Sequence, residues 1–294
     1  MLYHSPLRYP GGKRKLANFV KLVYHANNLL DGEYVEPYAG GASVALGLLY
    51  DEYVRRVFIN DIDPAVHAFW YSVLNDTDNF CRLIRDTPLN MEEWRRQKEL
   101  LANPNTSTLE RGFSTFFLNR TNRSGIISGG VIGGKNQTGK WLIDARYNTE
   151  DLIPRIEKIA RYRQRICLHN LDAINFLNLV TPQLTSQALI YLDPPYYVKG
   201  THALYTNFYK PDDHAQIAQT MRAIHTHQWI VSYDDVSQIR KLYEGHQFVD
   251  YSLHYSAQDR YRGAEVMFFS DELKVPEVLD PTKVKGLSLQ RYLV

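Results

Sequence analysis

The sequence predicts an α/β protein: a doubly wound, mostly parallel sheet interrupted by one inserted, mostly helical segment. Three observations predict it. Short apolar runs recur along the chain and end in small or acidic residues. Segments with helical periodicity separate those runs. Between about residues 64 and 164 the alternation stops, and it then resumes. Continuous apolar runs suit strands buried on both faces, and strand–helix alternation suits a parallel sheet.

The opening "YPGGKRKL" (9–16) raises the first functional question, because two glycines run into a basic cluster. A phosphate-binding loop needs glycine five residues before the Gly-Lys pair and Ser or Thr after the lysine. Leu7 and Arg14 stand there, so that reading fails. The plain alternative is a basic helix start on the surface. "KLANFVKLVYHANNLL" (15–30) then repeats apolar residues at three- and four-residue spacing, as a helix does.

"EYVEPYAGG" (33–41) reads as a strand entering a glycine turn, and "ASVALGLLY" (42–50) as the helix after it. "RRVFINDID" (55–63) is the next strand, ending on Asp61. After the insertion come "RICLHNLDA" (165–173), ending on Asp172, and "ALIYLDPPYY" (188–197), ending on Asp193. "PDDHAQIAQTMRAIHT" (211–226) opens with helix N-terminal signals. "WIVSYDD" (229–235) and "AEVMFFS" (264–270) are later strands, the last read as antiparallel.

The insertion begins with the helical "PAVHAFWYSVLND" and "MEEWRRQKELLAN" and ends with "TEDLIPRIEKIARYR". Between them the glycine-rich "SGIISGGVIGGKNQTGKW" reads as a long hairpin or a mobile loop. The expected division is a catalytic unit over residues 1–63 and 165–294, with 64–164 inserted.

Net charge is only +2, but it is unevenly spread. Residues 111–165 hold eleven basic and four acidic side chains, a balance of +7, which leaves −5 for the rest. A basic block in a near-neutral chain is the footprint of a polyanion partner. A hydrophobic content of 44% permits a sizeable core. There is no apolar run of membrane-spanning length and no signal-peptide pattern at the N-terminus. Cys81 and Cys167 lack metal-ligand spacing and read as reduced thiols, so the expected location is cytoplasmic.

In a doubly wound sheet, ligands bind beyond the carboxyl ends of the strands. Glu36 opens the glycine turn "EPYAGGAS", and Asp61 follows Gly40 by 21 residues. An acid about 20 residues past such a turn is placed for ribose hydroxyls. The turn is Gly40-Gly41-Ala42 and not G-x-G-x-x-G, so a nicotinamide cofactor is poorly supported. "DPPY" (193–196) is more specific. Its prolines make a rigid corner without N–H groups, leaving the Asp193 carboxylate and the Pro194 carbonyl as acceptors. Tyr196 adds a flat face, and the set suits an exocyclic amino group on a planar base.

Together "YPGGK", "EPYAGGAS", "NDID" and "DPPYY", in this order, resemble the Dam-type class of DNA adenine-N6 methyltransferases. The resemblance covers about residues 6–62 and 166–270. It implies a Rossmann-like S-adenosylmethionine-dependent methyltransferase sheet with an inserted target-recognition domain. It implies that the opening segment lies against the catalytic motif, that Tyr9 and Lys13 touch S-adenosylmethionine, and that Glu36, Pro37, Tyr38 and Gly40 form its turn. Asp61 would hold the ribose, Asp172 would lie near the cofactor adenine, and Asp193, Pro194 and Tyr196 would hold the target base, with Asp193 also bordering the cofactor. No metal is required. The implied partner is double-stranded DNA, met by Arg120, Asn122, Arg123, Lys135 and Lys140. A restriction or defence system is a further association in this class.

The segment "FLNRTNRSGIISGG" (117–130) keeps Asn-Arg-Thr and Gly125 of the family's hairpin, yet Arg123 replaces the usual aromatic and Ser124 the usual Asn. The common GATC target therefore does not follow. Two other readings compete. One is methylation of cytosine N4, RNA or a protein amide. The other is a non-catalytic regulator of the same fold.

Overall fold

The computed structural model describes residues 4–9, 13–197, 209–254 and 262–286. Pro10, Gly11 and Gly12 of the opening motif lie outside the described residues. The chain forms one seven-stranded sheet: β1 (Gly32–Glu36), β2 (Val54–Asn60), β3 (Ile166–His169), β4 (Ala188–Leu192), β5 (Gln228–Asp234), β6 (Phe248–His254) and β7 (Arg262–Phe269). Its order is β3-β2-β1-β4-β5-β7-β6. β1 to β5 pair in parallel, whereas β7 runs antiparallel between β5 and β6. This is the doubly wound α/β fold that the sequence predicts.

Strand order reverses between β1 and β4. The chain winds outward from β1 through β2 to β3, then returns to place β4 on the other side. At such a switch point, connections leave the two neighbouring strands in opposite directions and open a crevice at their carboxyl ends. β1 and β4 are buried along their whole length, as their apolar sequences require.

Side chains alternate between two cores. Tyr34, Leu189 and Tyr191 enter one, whereas Val35, Ile190 and Leu192 enter the other. The first core is covered by α1 (Ala17–Ala26) and α2 (Ser43–Tyr50), the second by α8 (Ala173–Val180), α9 (Pro211–Ala223) and α10 (Ser237–Leu242).

Five helices fill the connection from β2 to β3: α3 (Pro64–Asn75), α4 (Thr77–Asp86), α5 (Met91–Ala102), α6 (Thr108–Thr121) and α7 (Thr149–Arg161). Their apolar faces join the first core, through Phe69, Phe80, Phe113, Phe116 and Ile156 among others. α3 also serves the sheet, because Trp70 Nε1 donates to the Gly40 carbonyl at 2.9 Å. Local signals set the helix starts. Asp63 accepts from Ala65 N ahead of Pro64 in α3, and Ser107 with Glu110 closes a capping box on α6.

The structure corrects two local expectations. The segment Phe117–Thr121 ends helix α6 and is not part of a hairpin. The glycine-rich stretch beyond it is a loop of turns and not a long hairpin. Asn122 and Val131 make a single antiparallel bridge, Ile132 N donates to Thr121 O, and Arg123 N donates to Gly130 O. Gln137 then ties the next turn together, its Nε2 donating to Ile132 O and Gly134 O at 2.8 Å. No helix among the described residues is long and apolar enough to cross a membrane.

Candidate active site at the carboxyl ends of β1 and β4

The site begins with the turn after β1. Asn60, at the end of β2, donates from Nδ2 to the Pro37 carbonyl at 3.0 Å, and its own carbonyl accepts from Ala39 N at 2.9 Å. Asp61 accepts from Gly40 N and from Asp63 N, each at 3.0 Å. The turn is therefore held by the neighbouring strand. Tyr9 lies over it, so close that a side chain on Gly40 would meet the Tyr9 ring at 2.8 Å. Ala42 starts α2 at φ 46°, a left-handed conformation that glycine adopts more cheaply.

Two carboxyl groups flank this turn, one at the end of β1 and one after β2. Glu36 is buried at the end of β1, and its Oε2 has no hydrogen-bond partner among the described residues. Burial first, then the nearby Asp193 charge, holds its carboxyl well above the usual range. Burial pushes Asp61 up to about 7 against the two amide hydrogen bonds that favour its charged form. The turn thus starts from a buried carboxyl with one unpartnered oxygen and is held at Gly40 by a second acid.

Asp193 follows β4 and packs against a charged cluster. Lys13 Nζ lies 3.1 Å from Asp193 Oδ1 and 2.6 Å from Glu265 Oε2. It also donates to the Tyr196 hydroxyl at 2.9 Å. Glu265 on β7 is fully buried and accepts from the hydroxyls of Tyr196 (2.6 Å) and Tyr251 (2.8 Å). Ser232 on β5 donates to Asp193 Oδ1 at 3.1 Å. Burial alone would push the Lys13 ammonium down, but Asp193, Tyr196, Tyr251 and Glu265 together hold it well above its usual range. Burial pushes Asp193 up to about 6, with Lys13 pulling down and Glu265 pushing up.

The expected site residues thus divide. Glu36, Pro37, Tyr38, Gly40, Asp61, Asp193 and Pro194 stand at adjacent strand ends, and Tyr9 packs on the same turn. Tyr38 pairs its hydroxyl with that of Tyr209 at 2.8 Å. Lys13, expected to touch the cofactor from a segment lying against the catalytic motif, makes its contacts with Asp193, Tyr196 and Glu265. Tyr196 is only 6% exposed, so its ring is not the open plate that the motif suggests. Asp172 caps α8, accepting from Ile174 N and Asn175 N.

The expected DNA contacts divide more sharply. Arg120 is 8% exposed and donates inward, from Nε to Arg146 O at 2.7 Å and from Nη1 to Pro6 O. Asn122 is fully buried, accepting from Trp94 Nε1 and donating to Ile126 O and Ile127 O. In both, the polar atoms are turned to buried groups of the protein itself. Arg123, Lys135 and Lys140 are exposed.

Sequence reasoning missed Ser232, Tyr251 and Glu265. Only Glu265 left a signal, as a lone acid inside the apolar run "AEVMFFS". It also missed how the opening segment docks. Asn119 accepts from Arg8 N and donates to the carbonyls of Arg8 and Gly125, each at 2.8 Å.

A strand-end acid in a DPPY corner, braced by the lysine of an opening GGK segment, narrows the families this chain can join. A model of the D12 class N6 adenine-specific DNA methyltransferases matches residues 9–260. The chain belongs to this family. It is a DNA methyltransferase acting on adenine N6, and the cytosine, RNA, protein and non-catalytic readings are not favoured. The Type II methyltransferase M.MjaIII of Methanocaldococcus jannaschii is 22% identical over 236 residues, 74% of this chain and 79% of that protein. Among solved structures, the rRNA methyltransferase aviRa from Streptomyces viridochromogenes has a TM-score of 0.39 at 14% identity, covering 89% of this chain and 85% of its own. A Legionella pneumophila protein has a TM-score of 0.31 at 12% identity, covering 88% and 86%.

Proposed function

We propose that this D12-class enzyme uses S-adenosylmethionine to methylate an adenine flipped out of duplex DNA, in the crevice between β1 and β4. The observation that carries this is the position of Asp193: at the switch point, partly exposed, and braced by Lys13 and Ser232.

The chain's residues fit the cofactor. Glu36 offers an unused buried acceptor to a cationic group, and Asp61 offers its carboxylate to the ribose hydroxyls. Tyr9 and the Glu36–Gly40 turn would wall the site. Asp172 would approach the adenine end only through what its helix-capping bonds leave over. When bound, the cofactor supplies an electrophilic methyl group on a sulfonium.

The adenine amino nitrogen is a poor nucleophile because its lone pair is delocalised into the ring. Inside a duplex it is also out of reach, so the base must leave the stack. Asp193 and the Pro194 carbonyl accept the two amino hydrogens and favour a pyramidal nitrogen with an available lone pair. Lys13 and Ser232 fix the carboxylate, so little reorganisation is left for the reaction itself. Lys13 and Glu265 clamp the Tyr196 hydroxyl and so set the plane of its ring. That ring is nearly covered, and base entry has to uncover it.

Arg123, Lys135 and Lys140 would contact the duplex. The name of the Methanocaldococcus relative supports a place beside a restriction system. The test is mass spectrometry of nucleosides from DNA incubated with the protein and S-adenosylmethionine. N6-methyladenine is expected; N4-methylcytosine, or no methylated base, would overturn the reading.

A further inference from the structure

We propose that Asn60 and Asn170 are positioning residues of the cofactor site: their side-chain amides continue the sheet past its last ladder bonds and fix the spacing of the Glu36–Gly40 turn, Asp61 and Asp172. This rests on the reading that S-adenosylmethionine binds at these strand ends.

The sheet stops supplying bonds where the site begins. The last residue pairs are Glu36 with Ile59 and Asn60 with His169. Beyond them the three chains part, toward the starts of α2, α3 and α8. Backbone groups there have lost their ladder partners, and burying them unpaired is costly.

Asn60 fills that gap from within, at 1% exposure. Its Nδ2 donates to the Pro37 carbonyl at 3.0 Å on one side and to the Leu171 carbonyl at 2.9 Å on the other. Its Oδ1 accepts from Leu171 N at 2.9 Å, and its backbone carbonyl accepts from Ala39 N at 2.9 Å. One primary amide thus replaces a missing peptide unit, with two donors and an acceptor in one plane. Aspartate has the shape but cannot donate. Pro37 lies in the cofactor turn and Leu171 precedes Asp172, so this amide sets the distance between two sides of the site.

Asn170 acts from the solvent side. It is exposed, and its Nδ2 donates to the Asp61 carbonyl at 2.7 Å and to the Ile62 carbonyl at 3.1 Å. Asp61 N donates to the His169 carbonyl at 3.4 Å. The backbone of Asp61 is therefore held through both its N–H and its carbonyl, while its carboxylate holds Gly40. A site kept at the right spacing before its ligand arrives has less left to order on binding. Both bridges lie on the β1–β2–β3 side of the switch point, whereas Asp193 follows β4. Their loss should fall on cofactor binding and not on the chemical step.

Calorimetry with S-adenosylhomocysteine, which lacks the transferable methyl, and steady-state kinetics on duplex DNA test this. Asn170→Ala should weaken binding roughly fivefold, the scale of one hydrogen bond. Asn60→Asp sets a carboxylate oxygen against two carbonyls and should weaken it by at least about tenfold. In both, KM for S-adenosylmethionine should rise while turnover at saturating cofactor stays within about threefold of wild type, the mark of lost uniform binding. A role in stability alone would lower the unfolding temperature of the free protein and leave KM where it was, and that result would overturn the proposal. So would turnover that falls with KM unchanged. If Asn60→Asp does not fold, Asn170→Ala decides by itself, because its side chain is exposed. Variants that bind as tightly as a wild type that binds would overturn the proposal alone. A wild type that binds neither S-adenosylhomocysteine nor S-adenosylmethionine would overturn the reading of the strand-end site, and this proposal with it.

Discussion

The Lys13 ammonium lies 2.6 Å from the carboxylate of Glu265, across 252 residues of chain. Neither charge is stable alone in a dry interior, and a buried pair holds only when hydrogen bonds complete it. Here Lys13 also reaches Asp193 and Tyr196, and Glu265 also reaches Tyr196 and Tyr251. The pair thus joins the opening segment, the end of β4 and the two antiparallel strands.

That geometry gives opposite pH shifts for two substitutions. Asp193 must be ionised to accept an amino hydrogen, so wild-type turnover should fall as pH drops below about 6. Glu265→Gln removes a negative neighbour that raises the Asp193 pKa, so its acid limb should move to lower pH. Lys13→Met removes the cation that lowers it, so its limb should move higher. Each variant should lose at least about tenfold in turnover, and Lys13→Met should also lose about 3–5 kcal/mol of stability by leaving Glu265 unpaired. Single-turnover pH profiles at a temperature where both remain folded are the check. Two profiles superposable on wild type would remove Asp193 from the role.

Asp193→Asn separates chemistry from binding. It keeps the shape but turns a donor toward the amino group of the base. Turnover should fall by at least about a hundredfold, as for the loss of one preorganised transition-state partner. Cofactor affinity and duplex affinity should survive. Methylation near the wild-type rate would exclude the carboxylate from the reaction.

Cofactor affinity should depend on Asp61 through its own titration. Its folded pKa is raised to about 7, so the acceptor form is lost as pH falls through that value. Calorimetry should find tighter S-adenosylmethionine binding at pH 8 than at pH 6. Asp61→Asn should abolish that difference and weaken binding by about 1.5–3 kcal/mol, the scale of hydrogen bonds to a charged acceptor. An Asn variant that keeps the pH dependence would assign it to another group.

Salt dependence should tell surface cations from buried ones. Lys135→Ala and Lys140→Ala should each reduce the slope of log affinity against log salt by about 0.9 if they meet phosphates. Arg120→Ala should leave the slope alone. It should instead lower the unfolding temperature, because the Arg146 and Pro6 carbonyls lose their donor, at about 1–3 kcal/mol. A changed slope with unchanged stability in Arg120→Ala would return that residue to the DNA surface.

Gly125 has φ 78°, and a side chain there would meet the Arg8 carbonyl at 2.3 Å. Gly125→Ala should therefore cost more than about 1 kcal/mol and loosen the docked opening segment. Limited proteolysis near residues 4–9, alongside thermal unfolding, reads both effects. A variant as stable and as resistant as wild type would show that the contact yields easily.

Much was determined by the sequence itself. The parallel strands, the crossover helices, the turn at Glu36–Gly40 and the Asp-Pro-Pro-Tyr corner are local in origin. Apolar periodicity, glycine and proline act over a few residues, and each leaves its mark where it acts. The strand β6 escaped, as a seven-residue edge strand with little pattern to separate it from a loop. The basic surface was legible only as a sum. Which of its cations face water depended on packing, since Arg120 donates to the Arg146 and Pro6 carbonyls, which no local pattern announces. The tertiary structure alone decided that Ser232, Tyr251 and Glu265 join Lys13 and Asp193. Their contacts join residues far apart in the chain, and they form because each charge or hydroxyl, once buried, must find its partner from whatever strand the fold brings beside it.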